Sequence, residues 1–381
     1  MTTMMTPDEL RRRMPDVAFA IRGYNVTNLG RTPELLEHPR YGPTVASYLE
    51  RASAVCSDVC GGKVDLVRRV REREETSIET YAEAIAMIMA VEQAQFQLLA
   101  DHFGIAVDSA RSMSGYSLGE ISALIAAGCL ALEDAMRIPL SLAADCAALA
   151  EDMALGVLFS RKPALPLDDV RRLCLRLNNE GQGVIGISTI LAPNSILLMA
   201  TAGTVERCKV RMETELEAET YMLLNSNRWP PLHTPIVWEK HIPSRAGLLM
   251  HTLPGGFTKP QPAILSMVTG KESYNDFNTR EILQRWTDHP QRLWDVVYET
   301  LAMGIKTIIH VGPQPNIVPA TFKRLKDNVL VQTEASLGIR ALSSMVERPW
   351  LKRLLPHRTA LLRAPLIAHV ILEDWLLAQT D

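Results

Sequence analysis

Apolar residues recur along much of the chain at helical spacing, and short apolar runs between these stretches indicate buried strands. The run "DVAFAI" at 16–21 predicts a strand followed by a glycine-containing loop. Residues 33–58 and 77–103 carry apolar side chains at helical spacing, and in the second stretch they cover more than one face, as in a buried helix. Residues 118–152 predict a helix, a break at "AGCL" and a second helix that Pro139 should kink or interrupt.

The pattern changes near residue 155. The next stretches, "ALGVLFSR", "PLDDVRRLCLRLNN", "GVIGISTILAPNSILLMAT" and "TVERCKVRMETEL", predict strand, helix, two strands and helix, which is the content of a small α+β unit. Beyond it, the β-rich runs "AILSMV" and "TIIHVG" flank a helical stretch at 279–303, as expected of an α/β sheet. We therefore expect a large α/β domain over 1–154 and 224–325, an inserted α+β subdomain over 155–223, and a helical C-terminal extension over 326–381.

The composition is that of an ordinary globular protein and narrows the function classes. The 381 residues carry a formal net charge of −3, so we expect no global attraction to nucleic acid or to an anionic membrane. No apolar run is long enough for a signal peptide or a membrane span. The six cysteines include no Cys-x-x-Cys pair. We expect a cytoplasmic protein with reduced thiols and no metal site.

Candidate chemistry begins with "GYSLGE", in which Ser117 lies between Gly115 and Gly119 in a G-x-S-x-G pattern. A strand-to-helix elbow holds a serine in a strained backbone conformation, and small neighbours leave space for the turn. The preceding "IAVDSARSM" can supply the strand and the following "EISALIAAG" the helix. In that geometry Ser117 is a nucleophile and the amide of Leu118 points at an oxyanion. The alternative is that Ser117 only caps a helix.

A serine nucleophile needs a base, and His233 is the first candidate among nine histidines. It lies in "RWPPLHTPIV", where prolines can stiffen a loop and direct its side chain. His310, in "IIHVGPQP", is the second candidate. Their contexts leave open that His233 is an exposed loop residue and that His310 is packed in a strand.

Four stretches resemble, in order, segments of the acyl-CoA:acyl-carrier-protein acyltransferase family, which includes malonyl-CoA:ACP transacylases and polyketide synthase acyltransferase domains. They are "GYSLGEISALIAAGCLALEDAMR", "LHTPIV", "ILSMVTGK" and "IIHVGPQPNIV". The resemblance covers residues 16–325. It implies a large α/β-hydrolase-like domain with a parallel-sheet core and an inserted small ferredoxin-like α+β subdomain. The helical C-terminal tail, expected from the sequence pattern, lies beyond the resemblance.

The resemblance also implies a site. Ser117 matches the family's acyl-accepting serine, His233 its base and Leu118 an oxyanion amide. A main-chain carbonyl near Trp286, rather than an aspartate, would orient the histidine. The implied substrate is acyl-CoA and the implied partner is an acyl carrier protein, with no bound cofactor and no metal.

Three positions depart from the family pattern. Arg22 replaces a glutamine whose backbone amide completes the oxyanion hole, so the amide survives and the pocket gains a cation. Tyr116 precedes the serine where the family usually has histidine. Leu142, 25 residues after Ser117, stands where malonyl-selective members carry an arginine that binds the free carboxylate. Either the acyl group is uncharged, or Arg22 or Arg137 binds its carboxylate; Arg22 could equally be a structural ion-pair partner, and Arg137 a surface residue.

The function expected from this resemblance is acyl transfer in fatty acid or polyketide biosynthesis, from CoA through an acyl-serine to a carrier-protein phosphopantetheine thiol. An acyl-ACP hydrolase and a catalytically silent carrier-binding homologue are the alternatives. The stretch 340–363 adds a basic surface that could dock an acidic carrier protein, or a tail that packs Trp350 on the main domain; the two are compatible. Its charged residues are Arg340, Glu347, Arg348, Lys352, Arg353, Arg358 and Arg363.

Overall fold

A six-stranded sheet forms the centre of the structure, a computed structural model that describes residues 5–161, 164–216, 219–334 and 349–379. In spatial order β10-β9-β1-β2-β7-β8, the first five strands run parallel and the last runs antiparallel. The α/β class predicted from the sequence is confirmed. The strands are β1 (Val17–Ile21), β2 (Ser112–Gly115), β7 (Ala263–Ser266), β8 (Lys271–Glu272), β9 (Thr307–Val311) and β10 (Ala368–Ile371).

Helices cover both faces of this sheet. Those of the larger unit are α1 (Pro7–Arg13), α2 (Thr32–Glu37), α3 (Gly42–Cys60), α4 (Leu66–Arg71), α5 (Tyr81–Phe103), α6 (Leu118–Ala126), α7 (Leu132–Leu149), α10 (Ile242–Thr252), α11 (Thr279–Trp286), α12 (Leu293–Ala302), α13 (Ile317–Glu334), α14 (Pro349–Leu354) and α15 (Leu372–Leu377). Short 3-10 turns lie at Met14–Asp16, Val107–Ser109, Ala150–Asp152, Pro235–Lys240 and Thr359–Leu366. Within the described ranges, no helix combines the length and the apolar character needed to cross a membrane.

The central strand β1 shows why the core has two halves. All five of its residues are buried, as expected in a parallel sheet covered on both faces. Val17, Phe19 and Ile21 pack into the core with α3, α5, α6 and α7. The alternate residues Ala18 and Ala20 pack into a second core with α12, α13 and the turn 359–366. Helix α7 continues through Pro139 without an interruption.

A second sheet of four antiparallel strands lies between α7 and α10 in the chain. Its spatial order is β4-β5-β3-β6, and its chain order of strand, helix, strand, strand, helix, strand is that of a ferredoxin-like unit. The buried side chains of both helices share one core with this sheet. The elements are β3 (Met153–Ser160), α8 (Leu167–Asn179), β4 (Ile185–Ala192), β5 (Ser195–Thr201), α9 (Ala202–Glu215) and β6 (Thr220–Asn225).

The C-terminal extension is not wholly helical, which corrects the prediction for 326–381. Residues Ala368–Ile371 form β10, which pairs in parallel with β9 and adds an edge strand to the main sheet. The strand has only four residues, too short a run to show a distinctive alternation of apolar and polar positions. Its partner strand lies some 60 residues earlier in the chain, so the pairing is not visible in the local sequence. Strand β10 is therefore part of the main fold.

The basic stretch at 340–363 is described only in part. Arg340, Glu347 and Arg348 lie outside the described residues, as does the side chain of Lys352. Trp350 is buried, with its ring centroid 5.9 Å from that of Trp294, so this residue packs on the main domain as one interpretation expected. Arg353 is exposed.

Candidate active site

Ser117 stands at a tight elbow between β2 and α6. Its φ of 53° and ψ of −117° are strained for a residue with a side chain. The flanking glycines are required by space: a Cβ on Gly115 would lie 1.9 Å from the carbonyl oxygen of Gly119, and a Cβ on Gly119 would lie 2.4 Å from that of Arg22. The elbow thus lifts the serine hydroxyl clear of the backbone.

His233 lies against this hydroxyl. Its Nε2 is 2.7 Å from Ser117 Oγ, and its Nδ1 is 2.6 Å from the carbonyl oxygen of Trp286. Because a carbonyl can only accept, Nδ1 carries the proton and Nε2 is left to accept the serine proton. The loop is fixed by the His233 amide, which donates to the Thr287 carbonyl at 2.7 Å.

Burial controls the charge of this imidazole. His233 is 4% exposed, and burial lowers its pKa from 6.5 to about 4, against the opposing hydrogen bond to the Trp286 carbonyl. The imidazole is therefore neutral at physiological pH. A neutral imidazole with a free Nε2 lone pair is the state that a general base needs.

Trp286 supports both residues of the pair. Besides orienting His233 through its carbonyl, it donates from indole Nε1 to the Ser117 carbonyl at 2.8 Å, and its ring meets the imidazole edge-on with centroids 5.2 Å apart. Only its carbonyl was expected at the site. The indole contact depends on the side-chain direction at the end of α11, which the sequence does not reveal.

Gln291 is a site residue that sequence reasoning missed. Its Oε1 accepts from the Ser117 amide at 3.0 Å, and its Nε2 lies 3.2 Å from His233 Nδ1. The Gln291 backbone bonds to the Ser188 carbonyl and the Ile190 amide, both at 2.8 Å, and so ties the site to β4 of the smaller sheet. No motif surrounds Gln291, and all these partners are distant in sequence.

Of the two amides expected in the oxyanion hole, the structure leaves one available and the other engaged in a hydrogen bond. Leu118 is the first residue of α6, so its amide has no partner within the helix and lies at the positive end of the helix dipole. The Arg22 amide instead donates to the Val311 carbonyl at 3.2 Å. The next amide, that of Gly23, has no hydrogen-bond partner within the described chain and belongs to a residue that lines the cavity.

The Arg22 side chain does not enter the cavity, which corrects the expectation of a pocket cation. It is 2% exposed, and its Nε donates to the Gly23 carbonyl at 2.7 Å. Its other nitrogens donate to Asn28 Oδ1 at 2.7 Å and to the Pro313 carbonyl. Burial lowers its pKa to about 10, which still leaves it charged. Arg22 is a structural residue beneath the elbow.

The other candidates divide between the cavity and elsewhere. Tyr116 lines the cavity, and its hydroxyl lies 2.8 Å from Thr189 Oγ1. Leu142 is buried in the main core and does not line the cavity.

Arg137 pairs with Asp58 at 2.7 Å on the surface. His310 is buried on β9, where its Nε2 lies 3.0 Å from His369 Nδ1, so it is a packed strand residue.

Ser117 and His233 line a cavity of about 410 Å³ between the two sheets. Its walls come from the elbow, the small sheet, the loop before His233 and the start of α13. Within the described parts of the chain, no cluster of three His, Cys, Asp or Glu side chains is arranged to hold a metal. Cavity residues that sequence reasoning missed include Tyr24, Tyr81, Leu155, Val157, Leu197, Met199, Trp229 and Arg324.

Known proteins share this architecture. A malonyl CoA-acyl carrier protein transacylase from Bacillus subtilis is 22% identical over 271 residues, which are 70% of this chain but only 63% of the relative's length. The acyltransferase domain from module 8 of the salinomycin polyketide synthase superposes with a TM-score of 0.64 at 18% identity, covering 95% of this chain and 78% of that domain. The chain has the fold of the malonyl-CoA:ACP transacylases.

A further solved structure with the transacylase fold is a complex. It contains a type II polyketide synthase acyl-carrier protein and its malonyl-transacylase, which matches this chain with a TM-score of 0.60 at 20% identity, over 80% of this chain and 92% of that one. No family model matches the sequence. The resemblance seen in the sequence is thus confirmed at the level of the fold.

Proposed function

We propose that this protein is an acyltransferase that moves an acyl group from CoA, through an ester on Ser117, to the phosphopantetheine thiol of an acyl carrier protein. The observation that carries the proposal is the 2.7 Å contact between Ser117 Oγ and a neutral His233 Nε2 at the floor of a cavity. The names of the relatives with this fold support the reaction class.

The first half-reaction forms the ester. His233 Nε2 takes the proton of Ser117 as Oγ attacks the thioester carbonyl carbon. The Leu118 amide, with the Gly23 amide as a second donor, stabilises the negative charge on the tetrahedral oxygen. When the intermediate collapses, the carbon–sulfur bond breaks and the proton on His233 passes to the departing CoA thiolate. Ser117 is left esterified and His233 neutral.

The second half-reaction runs the same steps with a different thiol. The phosphopantetheine thiol of the carrier gives its proton to His233 and attacks the ester carbonyl, and Ser117 leaves as an alkoxide that recovers the proton. The transfer needs no cofactor, since the same serine, base and amides serve both directions. A carrier partner is supported by the complex of a related transacylase with its acyl-carrier protein.

The experiment supplies the protein with an acyl-CoA and a holo carrier protein, then measures acyl-carrier, CoA and free acid by mass spectrometry. We expect acyl-carrier to form in equal amount to released CoA. An apo carrier protein, which lacks the thiol, is the matched control and should stay unmodified. Accumulation of free acid in place of acyl-carrier would make the protein a hydrolase, and the absence of any CoA release would leave only the silent binding homologue.

A further inference from the structure

One wall of the cavity is an apolar patch on the smaller sheet, which we call the sheet patch: Leu155 and Val157 on β3, and Leu197 and Met199 on β5. Leu155 lies directly opposite Met199 across the strand pair, and Val157 opposite Leu197. Because side chains alternate along a strand, these four residues share one face. The neighbouring residues Leu158, Ile196 and Leu198 turn to the other face and pack with α8 and α9.

A second wall is one face of α13. Ile317, Ala320, Thr321 and Arg324 line the cavity at helical spacing. The first two are apolar, and the Thr321 hydroxyl donates back to the Ile317 carbonyl at 2.7 Å, so its proton is not offered to a ligand. Arg324 lies one turn further along and is exposed.

Among the described residues, a carboxylate finds no buried cation between these walls. Arg324 is the one lysine or arginine among the described residues of the lining. Arg22 and Arg137, the alternatives considered from the sequence, are engaged elsewhere. Burial raises the pKa of Tyr24, which lines the cavity, to about 12; the carboxylates of Glu79 and Glu75 add to this shift and Arg22 opposes it. An unpaired carboxylate would be strongly disfavoured there.

We propose that the acyl group is uncharged and apolar, and longer than acetyl, with its chain lying on the sheet patch. The proposal rests on the proposed function, because it names the substrate class of the acyl-Ser117 intermediate. Its geometry is specific: Val157 belongs to the patch, opposite Leu197 and two residues from Leu155. A larger side chain at Val157 would shorten the space for the acyl chain.

The test measures the initial rate at which acetyl-, malonyl-, butyryl-, hexanoyl- and octanoyl-CoA esterify the full-length protein, by intact mass spectrometry. We expect hexanoyl or octanoyl to load at least about tenfold faster than malonyl, since discrimination by apolar contacts reaches that size. Val157→Phe should slow octanoyl loading by about tenfold and leave acetyl loading within about twofold. Val210→Phe is the matched control, because Val210 is 72% exposed on α9, outside the cavity; it should change neither rate.

Each outcome has one meaning. Malonyl loading fastest would overturn the inference while leaving the proposed function in place, and loss of that preference in Arg324→Ala would show that the rim arginine binds the carboxylate. If Val157→Phe slows acetyl and octanoyl loading equally, the acyl chain does not lie on the sheet patch, and the inference is also overturned. If no acyl-CoA of the panel modifies the protein, the proposed function itself fails.

Discussion

In the proposed reaction Ser117 gives up its proton to a neighbouring imidazole that is neutral and directed at its hydroxyl. Burial supplies the neutrality, and the Trp286 carbonyl supplies the orientation by fixing the proton on Nδ1 of His233. In this arrangement a backbone carbonyl performs the orienting function that an aspartate performs in a Ser-His-Asp triad. It adds no formal negative charge, so the pKa of His233 stays low.

A prediction about pH follows from that low pKa. His233 is a base only when unprotonated, so the kcat/KM of acylation should be level from pH 8 to about pH 5 and fall by half near pH 4. An unperturbed histidine would give a midpoint near pH 6.5. Rapid-mixing acylation after a brief pH jump measures the profile before slow unfolding interferes. A midpoint at 6.5 would contradict the neutral, buried state of His233.

A second prediction separates the two candidate histidines. His233→Ala should slow acylation of Ser117 by about 10²–10⁴-fold, the usual contribution of a general base. His310→Ala removes a buried side chain on β9 and should lower stability while the acylation rate per folded molecule stays near wild type. Rates are compared after circular dichroism establishes the folded fraction of each variant. The opposite pattern would make His310 the base.

Among individual residues, the sequence predicted those whose signal lies in the neighbouring positions of the chain. Ser117, between two glycines, and His233, in a proline-rich loop, carry their signals within a few residues. The indole contact of Trp286 and both contacts of Gln291 were not predictable, because their partners lie at least 58 positions away in the chain. Arg22 was misplaced for the same reason: its acceptors include Pro313, 291 positions away.

The elements that hold the cavity in place include the last strand and helix of the chain. Glu373, at the start of α15, accepts from the Gln314 amide with Oε1 and from the Arg31 amide with Oε2, both at 2.9 Å. Gln314 belongs to the turn between β9 and α13, and α13 forms a wall of the cavity. The C-terminal extension thus fixes this wall through a buried carboxylate.

The prediction for this element compares two adjacent carboxylates. Glu373→Ala should lower the free energy of unfolding by about 1–3 kcal/mol, because it leaves two backbone amides without their acceptor. Asp374→Ala removes only a surface pair with Arg31, formed at 3.1 Å, and should cost less than about 1 kcal/mol. Chemical denaturation followed by circular dichroism gives both values. Equal losses would show that Glu373 does not fix the turn.

Among the elements, those with a clear apolar pattern were predicted, including short strands such as β7 and β9, whereas β10 was not. The buried helix α5 and the apolar strand β1 carry enough periodic or continuous apolar sequence to identify them alone. The four residues of β10 become a strand only because β9 offers a free edge beside them. Helix α7 also continues through Pro139. Packing of the buried face of this helix outweighs the backbone hydrogen bond that a proline cannot donate.

On the scale of the whole molecule, the chain combines a mostly parallel sheet with a smaller antiparallel sheet inserted between α7 and α10. The order of elements along the chain was enough to predict this plan, because strand-helix alternation and the α+β unit each have a characteristic sequence pattern. The composition of the cavity was not predictable, since its lining is drawn from the elbow, the smaller sheet, the loop before His233 and α13, which are far apart in the chain. Leu142 illustrates the limit: sequence alignment assigned it to the pocket, and the fold places it in the core.

The predicted docking of an acidic carrier protein belongs to this scale as well. Arg353→Glu, at an exposed basic position near the C-terminus, should raise the KM for the carrier and weaken its dependence on salt, with the acyl-CoA half-reaction unchanged. Arg172→Glu on α8 is the control, an exposed arginine on the outer helix of the smaller sheet. Steady-state kinetics at low and high ionic strength make the comparison. Indistinguishable effects of the two reversals would leave Arg353 without a docking role.

The central claim is that the acyl group passes through an ester on Ser117. The most direct measurement is peptide mapping by tandem mass spectrometry after incubation with acyl-CoA in the absence of a carrier protein. The predicted result is one acyl group per chain, located on Ser117 and absent from Ser117→Ala, whose melting temperature should match wild type. An adduct retained in Ser117→Ala, or located on any other residue, would contradict the mechanism.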